Sequence, residues 1–305
     1  MTGRGPELAG VMTTIGFIGS GMIGSTVARL SVAAGHRVVL SNSRGPETLQ
    51  DLAAELGPLA AAATAGQAAE AGDLVVVSIP VKAIGEVPAK PLVGKPVLDT
   101  GNYYPQRDGQ IDVIDTGALT SSGLLQSYLP DAHVVKVFNN IFCRHLASLT
   151  RPSGATDRTA LPIAGDDGAA KAAVTAYLDS IGYDAVDAET LADSWRQESG
   201  TPVYGAPYGP FSSQTGHPAG AAKIHAALAA ARRERPLLGY GAVQTFAQQV
   251  GVAVGAVVFP QRVFRFNGFR PEPETEPRTF RPEPETQPRT EPCWPGPRPC
   301  RGPRP

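Results

Sequence analysis

The run Gly19-Ser20-Gly21-Met22-Ile23-Gly24 could hold a pyrophosphate. Each glycine answers a separate demand of that chemistry. Gly19 permits a tight turn out of a strand, Gly21 lets the backbone approach phosphate with no Cβ in the way, and Gly24 lets a helix pack close to a sheet. A helix beginning there adds unpaired N–H groups and the positive end of its dipole. In a chain with 34 glycines the pattern alone is weak, so its setting decides. Thr13 to Ile18 is apolar and β-prone, Ser25 to Ala34 has helical spacing, Gly35 sits where a C-terminal cap belongs, and His36 to Ser41 reads as a second strand. That is a complete βαβ unit, and it predicts a bound dinucleotide.

The end of the second strand distinguishes the two nicotinamide dinucleotides. An NAD site places Asp or Glu there for the ribose 2′-hydroxyl, whereas an NADP site removes that charge and offers arginine to the 2′-phosphate. Between Gly35 and Gly45 there is no carboxylate; the chain reads Ser41-Asn42-Ser43-Arg44. Arg44 can clamp a phosphate and Asn42 or Ser43 can donate to it, so NADP(H) is the expected cofactor.

The reacting groups are harder to find. The chain has no Tyr-x-x-x-Lys, no G-x-S-x-G, no H-E-x-x-H and no Cys-x-x-Cys, so neither a metal site nor a standard acid–base pair is expected. His133, Lys136 and His145 are the titratable residues near predicted strand ends. His133 begins a strand and reads as structural; Lys136 could face solvent; His145 could reach a substrate or lie on a helix surface. Hydride transfer to a flavin-like ring needs positioning and exclusion of water more than a protein proton donor. Reduction of a carbonyl or imine wants a donor, and His145 is the candidate for that alternative. A third reading is an NADPH-binding sensor without turnover.

The elements that must position these groups follow the pattern of a doubly wound, mostly parallel α/β sheet. Pro46 and Glu47 suit a helix start and Gly57 its end; Ala60 to Gly72 reads as a strand fragment and short helix. Asp73 to Pro80 is a continuous apolar strand, the mark of a parallel strand covered on both faces. Val97 to Thr100 and His133 to Asn139 read as further strands, each ending in polar residues. Leu161 to Asp167, a helix from Gly168 to Ile181, and Gly182 to Asp187 extend the alternation, followed by an aromatic loop around Trp195 and Tyr204 and a helix within Pro218 to Glu234.

The segments at the ends differ. Residues 1–11 read as a leader, with Met12 a possible start; 12–150 as the NADP-binding Rossmann domain; 151–234 as its small C-terminal α/β extension. Residues 235–268 are apolar, but Gln244, Gln248 and Gln249 argue against a membrane span. In 269–305 the stretch Phe269 to Thr279 recurs as Phe280 to Thr290, alternating proline with charge, which predicts a disordered tail. A net charge of -1 gives no bulk case for nucleic acid or anionic membrane, and three cysteines with no apolar leader point to a reducing cytoplasm.

Together, Ile15 to Gly24, Val38 to Arg44, Val75 to Pro80 and Val135 to Asn140 resemble the NADP-dependent coenzyme F420 oxidoreductases and their wider bacterial relatives, over roughly residues 12–234. The resemblance implies a Rossmann domain with a small extension, a homodimer, NADPH as cofactor, and coenzyme F420 or a flavin as the small-molecule partner. It makes Ser20, Gly21, Met22, Ile23, Ser43, Arg44, Ile79 and Pro80 cofactor contacts, with Ser78 beside them. Asn102 and Asn139 are placed near the nicotinamide, and Trp195 and Tyr204 either line the partner's pocket or pack in a core or dimer contact. Pyrroline-carboxylate reductases and hydroxyacid dehydrogenases share the first βαβ, but follow it with a long all-helical domain that the short segment after residue 150 does not match.

Overall fold

In the computed structural model, residues 12–233 are described; the leader, the apolar segment from 235 and the proline-rich tail lie outside the described residues. The first βαβ unit forms as its residues dictate. Strand β1 (Thr14–Ile18) leads to helix α1 (Met22–Ala33), Gly35 turns the chain at φ 88°, and β2 (Arg37–Ser41) pairs parallel to β1 with Ile15 opposite Val38 and Phe17 opposite Leu40. Helix α2 (Gln50–Leu56) ends at Gly57, and β3 (Ala60–Ala62) then pairs with β2. Helix α3 (Ala65–Ala71) opens on a Thr64–Gln67 capping box.

Strand β4 (Leu74–Val77) returns to the other side of β1, and β5 (Pro96–Asp99) and β6 (His133–Lys136) follow outward in parallel. Between them lie two single-turn helices, α4 (Pro105–Asp108) and α5 (Asp112–Asp115), and helix α6 (Ser121–Tyr128). After α7 (Cys143–Ser148), β7 (Ala160–Gly165) joins β6 antiparallel; α8 (Gly168–Ser180) then leads to β8 (Asp184–Asp187), parallel to β7. Helix α9 (Ala221–Ala230) closes the described chain. The eight-stranded sheet has the order β3-β2-β1-β4-β5-β6-β7-β8. It is a Rossmann-type α/β sheet, and its strand order reverses between β1 and β4, where such sheets bind ligands.

The apolar run in β4 is covered on both faces, as its composition requires. Val76 packs with Phe17, Val27, Leu98 and Tyr177 on the face of α1 and α8, while Val75 and Val77 pack with Val97, Leu125 and Leu129 on the face of α6. Two strands are shorter than their apolar runs. Strand β4 stops at Val77, and Ser78 to Pro80 leave the sheet at its carboxyl edge. Strand β6 stops at Lys136 because Phe138, fully buried, adopts φ 64°. A bulky residue in the left-handed region is strained, and such positions concentrate at functional sites. No helix among the described residues is long and apolar enough to cross a membrane.

Candidate functional site

The three glycines of the loop meet three different surroundings. Gly19 has φ 98°, and a Cβ there would run into the Ser78 carbonyl. A Cβ on Gly24 would run into the Gly19 carbonyl, which is what close packing of α1 on the loop requires. A Cβ on Gly21 would meet nothing within 4 Å. No side chain caps α1 at Gly21, which leaves the first N–H groups of the helix without a side-chain partner. The loop therefore fits a phosphate chain where the spacing places one.

The loop is tied to the turn after β2. The Gly19 N–H and the Ser20 hydroxyl both donate to the Ser41 carbonyl at 3.0 Å, and the Ser41 hydroxyl donates to the Phe17 carbonyl at 2.6 Å. In the turn itself, Asn42 Oδ1 accepts the Arg44 N–H at 2.8 Å and its Nδ2 donates to Thr48. Ser43 and Arg44 are exposed, and the Arg44 guanidinium enters no ion pair among the described residues. The first carboxylate after the turn, Glu47, folds back against Gly45.

Beside the loop lies a cavity of about 320 Å³. Gly21, Met22 and Ile23 form one part of its wall, Ser78, Ile79 and Pro80 a second, and Thr100, Gly101, Asn102 and Asn139, beyond the ends of β5 and β6, a third. Asn102 and Asn139 hold one another: Asn102 Nδ2 donates to the Asn139 carbonyl at 2.7 Å, and Asn139 Nδ2 donates to Asn102 Oδ1 at 3.0 Å. Beneath them is a buried charge network. Lys136 is fully buried and donates at 2.9 Å to the Gly101 carbonyl and to the hydroxyls of Ser121 and Ser122, with Asp99 Oδ2 at 3.7 Å. Asp99 in turn accepts the Gly101 N–H at 2.8 Å and the Ser122 hydroxyl at 2.6 Å. The rim of the cavity is thus fixed from below by a paired, hydrogen-bonded charge.

The remaining wall is aromatic. Tyr104, Phe142, Tyr204 and Phe211 line it, with Phe211 at 5.8 Å from Phe142 and 5.6 Å from Tyr204, ring centre to ring centre. Arg107 stands at its edge, its guanidinium 4.9 Å over the Tyr104 ring and bound to Asp108 and the Asn102 carbonyl. Cys143, at the start of α7, also lines the cavity; burial pushes its thiol up.

Of the residues singled out in the sequence, Gly21, Met22, Ile23, Ser78, Ile79, Pro80, Asn102, Asn139 and Tyr204 share this cavity. Gly19, Ser20 and Gly24 support its loop, while Asn42, Ser43 and Arg44 stand on the adjoining turn outside it. Other expectations need correction. Lys136 does not face solvent, since three acceptors and Asp99 hold it inside. His145 is buried rather than on a helix surface, and it does not line the cavity. Phe142 packs edge-on against the His145 ring at 5.4 Å, His145 Nε2 lies 3.2 Å from the Ser213 carbonyl, and burial lowers the His145 pKa. Trp195 is also outside the cavity wall, flanked by Arg196 and Arg233 at 5.8 and 5.9 Å. Sequence reasoning missed Tyr104, Phe142 and Phe211. The signal for Tyr104 was its place just after a strand end; Phe211 lies in a glycine- and serine-rich loop that carries none.

The NADP oxidoreductase, coenzyme F420-dependent family matches residues 14–103. The crystal structure of a hypothetical protein from Sinorhizobium meliloti is 30% identical, with a TM-score of 0.56, over 63% of this chain and 93% of that one. A crystal structure from Arthrobacter sp. FB24, described provisionally as an F420-dependent NADP reductase, is 24% identical with a TM-score of 0.51, over 61% of this chain and 87% of that one, and agrees in fold. A search of the curated proteins returns no match. The glycine loop, the reversal of strand order beside it and the likeness that runs from β1 past β5 lead to one family: the chain belongs to the NADP oxidoreductases described as coenzyme F420-dependent.

Proposed function

We propose that the protein is an NADPH-dependent reductase that passes hydride between NADP(H) and a planar conjugated redox ring, coenzyme F420 or a flavin. The observation that carries this reading is the continuity of the cavity. It joins the glycine loop and the Ser78 to Pro80 wall to an aromatic wall of Tyr104, Phe142, Tyr204 and Phe211. Rings stack on such walls in offset or edge-on geometry, whereas a small hydroxyacid wants a cation set to take its carboxylate. Arg107, the arginine in the lining, is already engaged by Asp108 and the Asn102 carbonyl.

In this reading the N–H groups of Met22 and Ile23 hold the pyrophosphate, Asn42, Ser43 and Arg44 hold the 2′-phosphate, and Asn102 and Asn139 stand near the nicotinamide. NADPH, when bound, supplies the hydride. The chain's part is to align the two rings and keep water from between them. The test mixes purified protein with NADPH or NADH and, separately, coenzyme F420, FMN and small carbonyls, following the nicotinamide absorbance. Turnover of F420 or FMN with a strong preference for NADPH is expected. Equal use of NADH would overturn the Arg44 assignment, and turnover of a small carbonyl alone would overturn the ring acceptor.

A further inference from the structure

The acceptor end of the cavity holds a pair of hydroxyls that no motif in the sequence announces. Tyr104 follows β5 and Tyr204 lies in the loop beyond α8 and β8, yet their phenol oxygens are 2.5 Å apart. Both rings line the cavity and both are half-buried. What separates the two is Arg107, whose guanidinium lies over the Tyr104 ring and is fixed there by Asp108 and by the Asn102 carbonyl at 2.6 Å.

We propose that Tyr104 is the proton donor of the reduction and that Tyr204 holds the phenolate this leaves. The assignment rests on the hydride-transfer reading above. An acceptor that has gained a hydride at a ring atom, carbon in a deazaflavin and nitrogen in a flavin, carries the displaced π pair on a ring nitrogen or a carbonyl oxygen. That atom forms a new N–H or O–H bond as the Tyr104 O–H bond breaks, and the electron pair of the broken bond stays on the phenolate. Tyr204 donates to that oxygen, the Arg107 cation faces the ring that carries the charge, and water restores the proton. Tyr104 is the better acid of the two because the cation is on its ring. Burial raises both phenols above their ordinary value, and the Arg107 charge opposes that rise in each. Both therefore keep their protons at neutral pH until an anion develops beside them.

A latch between two loops would also pair these hydroxyls, so the test needs a reading that a latch does not move. Titration with p-nitrophenolate in the presence of NADP⁺, followed by the ligand's own absorbance, supplies it. The full-length protein is expected to bind the phenolate, and Tyr104→Phe and Tyr204→Phe are each expected to weaken it by about tenfold or more, as a lost hydrogen bond to a charged oxygen does. NADPH affinity and Tm should change little. With whichever ring acceptor the wild-type protein reduces, Tyr104→Phe should lower kcat by about 100-fold and remove its alkaline decline, as loss of a general acid does. Tyr204→Phe should fall between that variant and wild type. Phenolate binding that is absent in wild type, or equal in all three proteins, overturns the pair as an acid. If wild type reduces no acceptor at all, the hydride-transfer reading fails, and the phenolate titration still decides the role of the tyrosines.

Discussion

The two halves of the cavity are built in different ways. The half proposed for the cofactor comes from one βαβ unit and the strand beside it, from the Gly19 to Gly24 loop and Ser78 to Pro80, with the Ser41 to Arg44 turn adjoining it. Its parts are near in sequence and its constraints are steric, with carbonyls of Gly19 and Ser78 excluding any Cβ at Gly24 and Gly19. The half proposed for the acceptor is collected from loops spread over more than a hundred residues, Tyr104 to Phe211, and its shape depends on polar contacts such as Tyr104 to Tyr204 and Asn139 to the Gln197 carbonyl. Backbone geometry sets the first half. Side-chain networks set the second.

That contrast is open to attack at the network first, where the expected effect is largest. Lys136→Met removes the cation beneath the rim and leaves Asp99 buried with no countercharge. Removing one partner of a buried pair costs about 3–5 kcal/mol, which urea unfolding would register as a lower midpoint. The loss should be felt at Gly101 and Asn102, so acceptor turnover should fall more than NADPH affinity in whatever fraction remains folded. A Lys136→Met protein as stable as wild type would mean that the network does not hold the rim.

The next tests sharpen the steric half. Arg44→Ala should lower the preference for NADPH over NADH by about 10- to 100-fold, the range for lost hydrogen bonds to a charged group, with NADH affinity nearly unchanged. A smaller but cleaner contrast lies between two glycines. Gly24→Ala meets the Gly19 carbonyl and should destabilise the free protein by about 1–3 kcal/mol. Gly21→Ala meets nothing, so it should leave the free protein's Tm in place and weaken only NADPH binding. If both variants lose stability alike, the open space at Gly21 is not a ligand's.

How much was legible follows the same division. The βαβ unit, the mostly parallel sheet that continues it and the acid-free turn can be read because glycine, proline and carboxylate placement are local constraints. The fate of Lys136 could not be read, because its partners Asp99, Gly101, Ser121 and Ser122 converge on it only once β5, β6 and α6 are packed. The same holds for His145. Its place nine residues past β6 suggests access to a substrate, but the Phe142 ring and the Ser213 carbonyl enclose it. Strand β6 also ends before the run His133 to Asn139 does, and nothing in Val135 to Asn139 announces the positive φ at Phe138 that stops it. Long-range burial decides such residues, and a single sequence does not carry it.

The smallest expected effect concerns the scaffold that both halves share. His36, buried at the start of β2, accepts the Thr13 N–H at Nδ1, and its Nε2 lies 2.8 Å from the Ser180 hydroxyl. Those bonds require the neutral ring with its proton on Nε2, and burial lowers the pKa accordingly. The unfolded chain, with histidine near its ordinary value of about 6.5, then binds a proton that the folded chain refuses. Stability from this residue is complete above that value and declines as pH falls through it toward the lower folded value. Buried His145, its pKa also lowered, acts in the same direction. The Tm of the wild-type protein should therefore drop between about pH 7 and pH 5, and His36→Gln, which cannot take up a proton, should flatten part of that slope. An equally steep decline in His36→Gln would show that β2 does not depend on the neutral ring. Because β2 carries the Ser41 to Arg44 turn at its end, a wild-type loss of NADPH affinity that follows the same pH curve, and is flattened by the same substitution, would tie the scaffold's titration to the cofactor half and not to the aromatic wall.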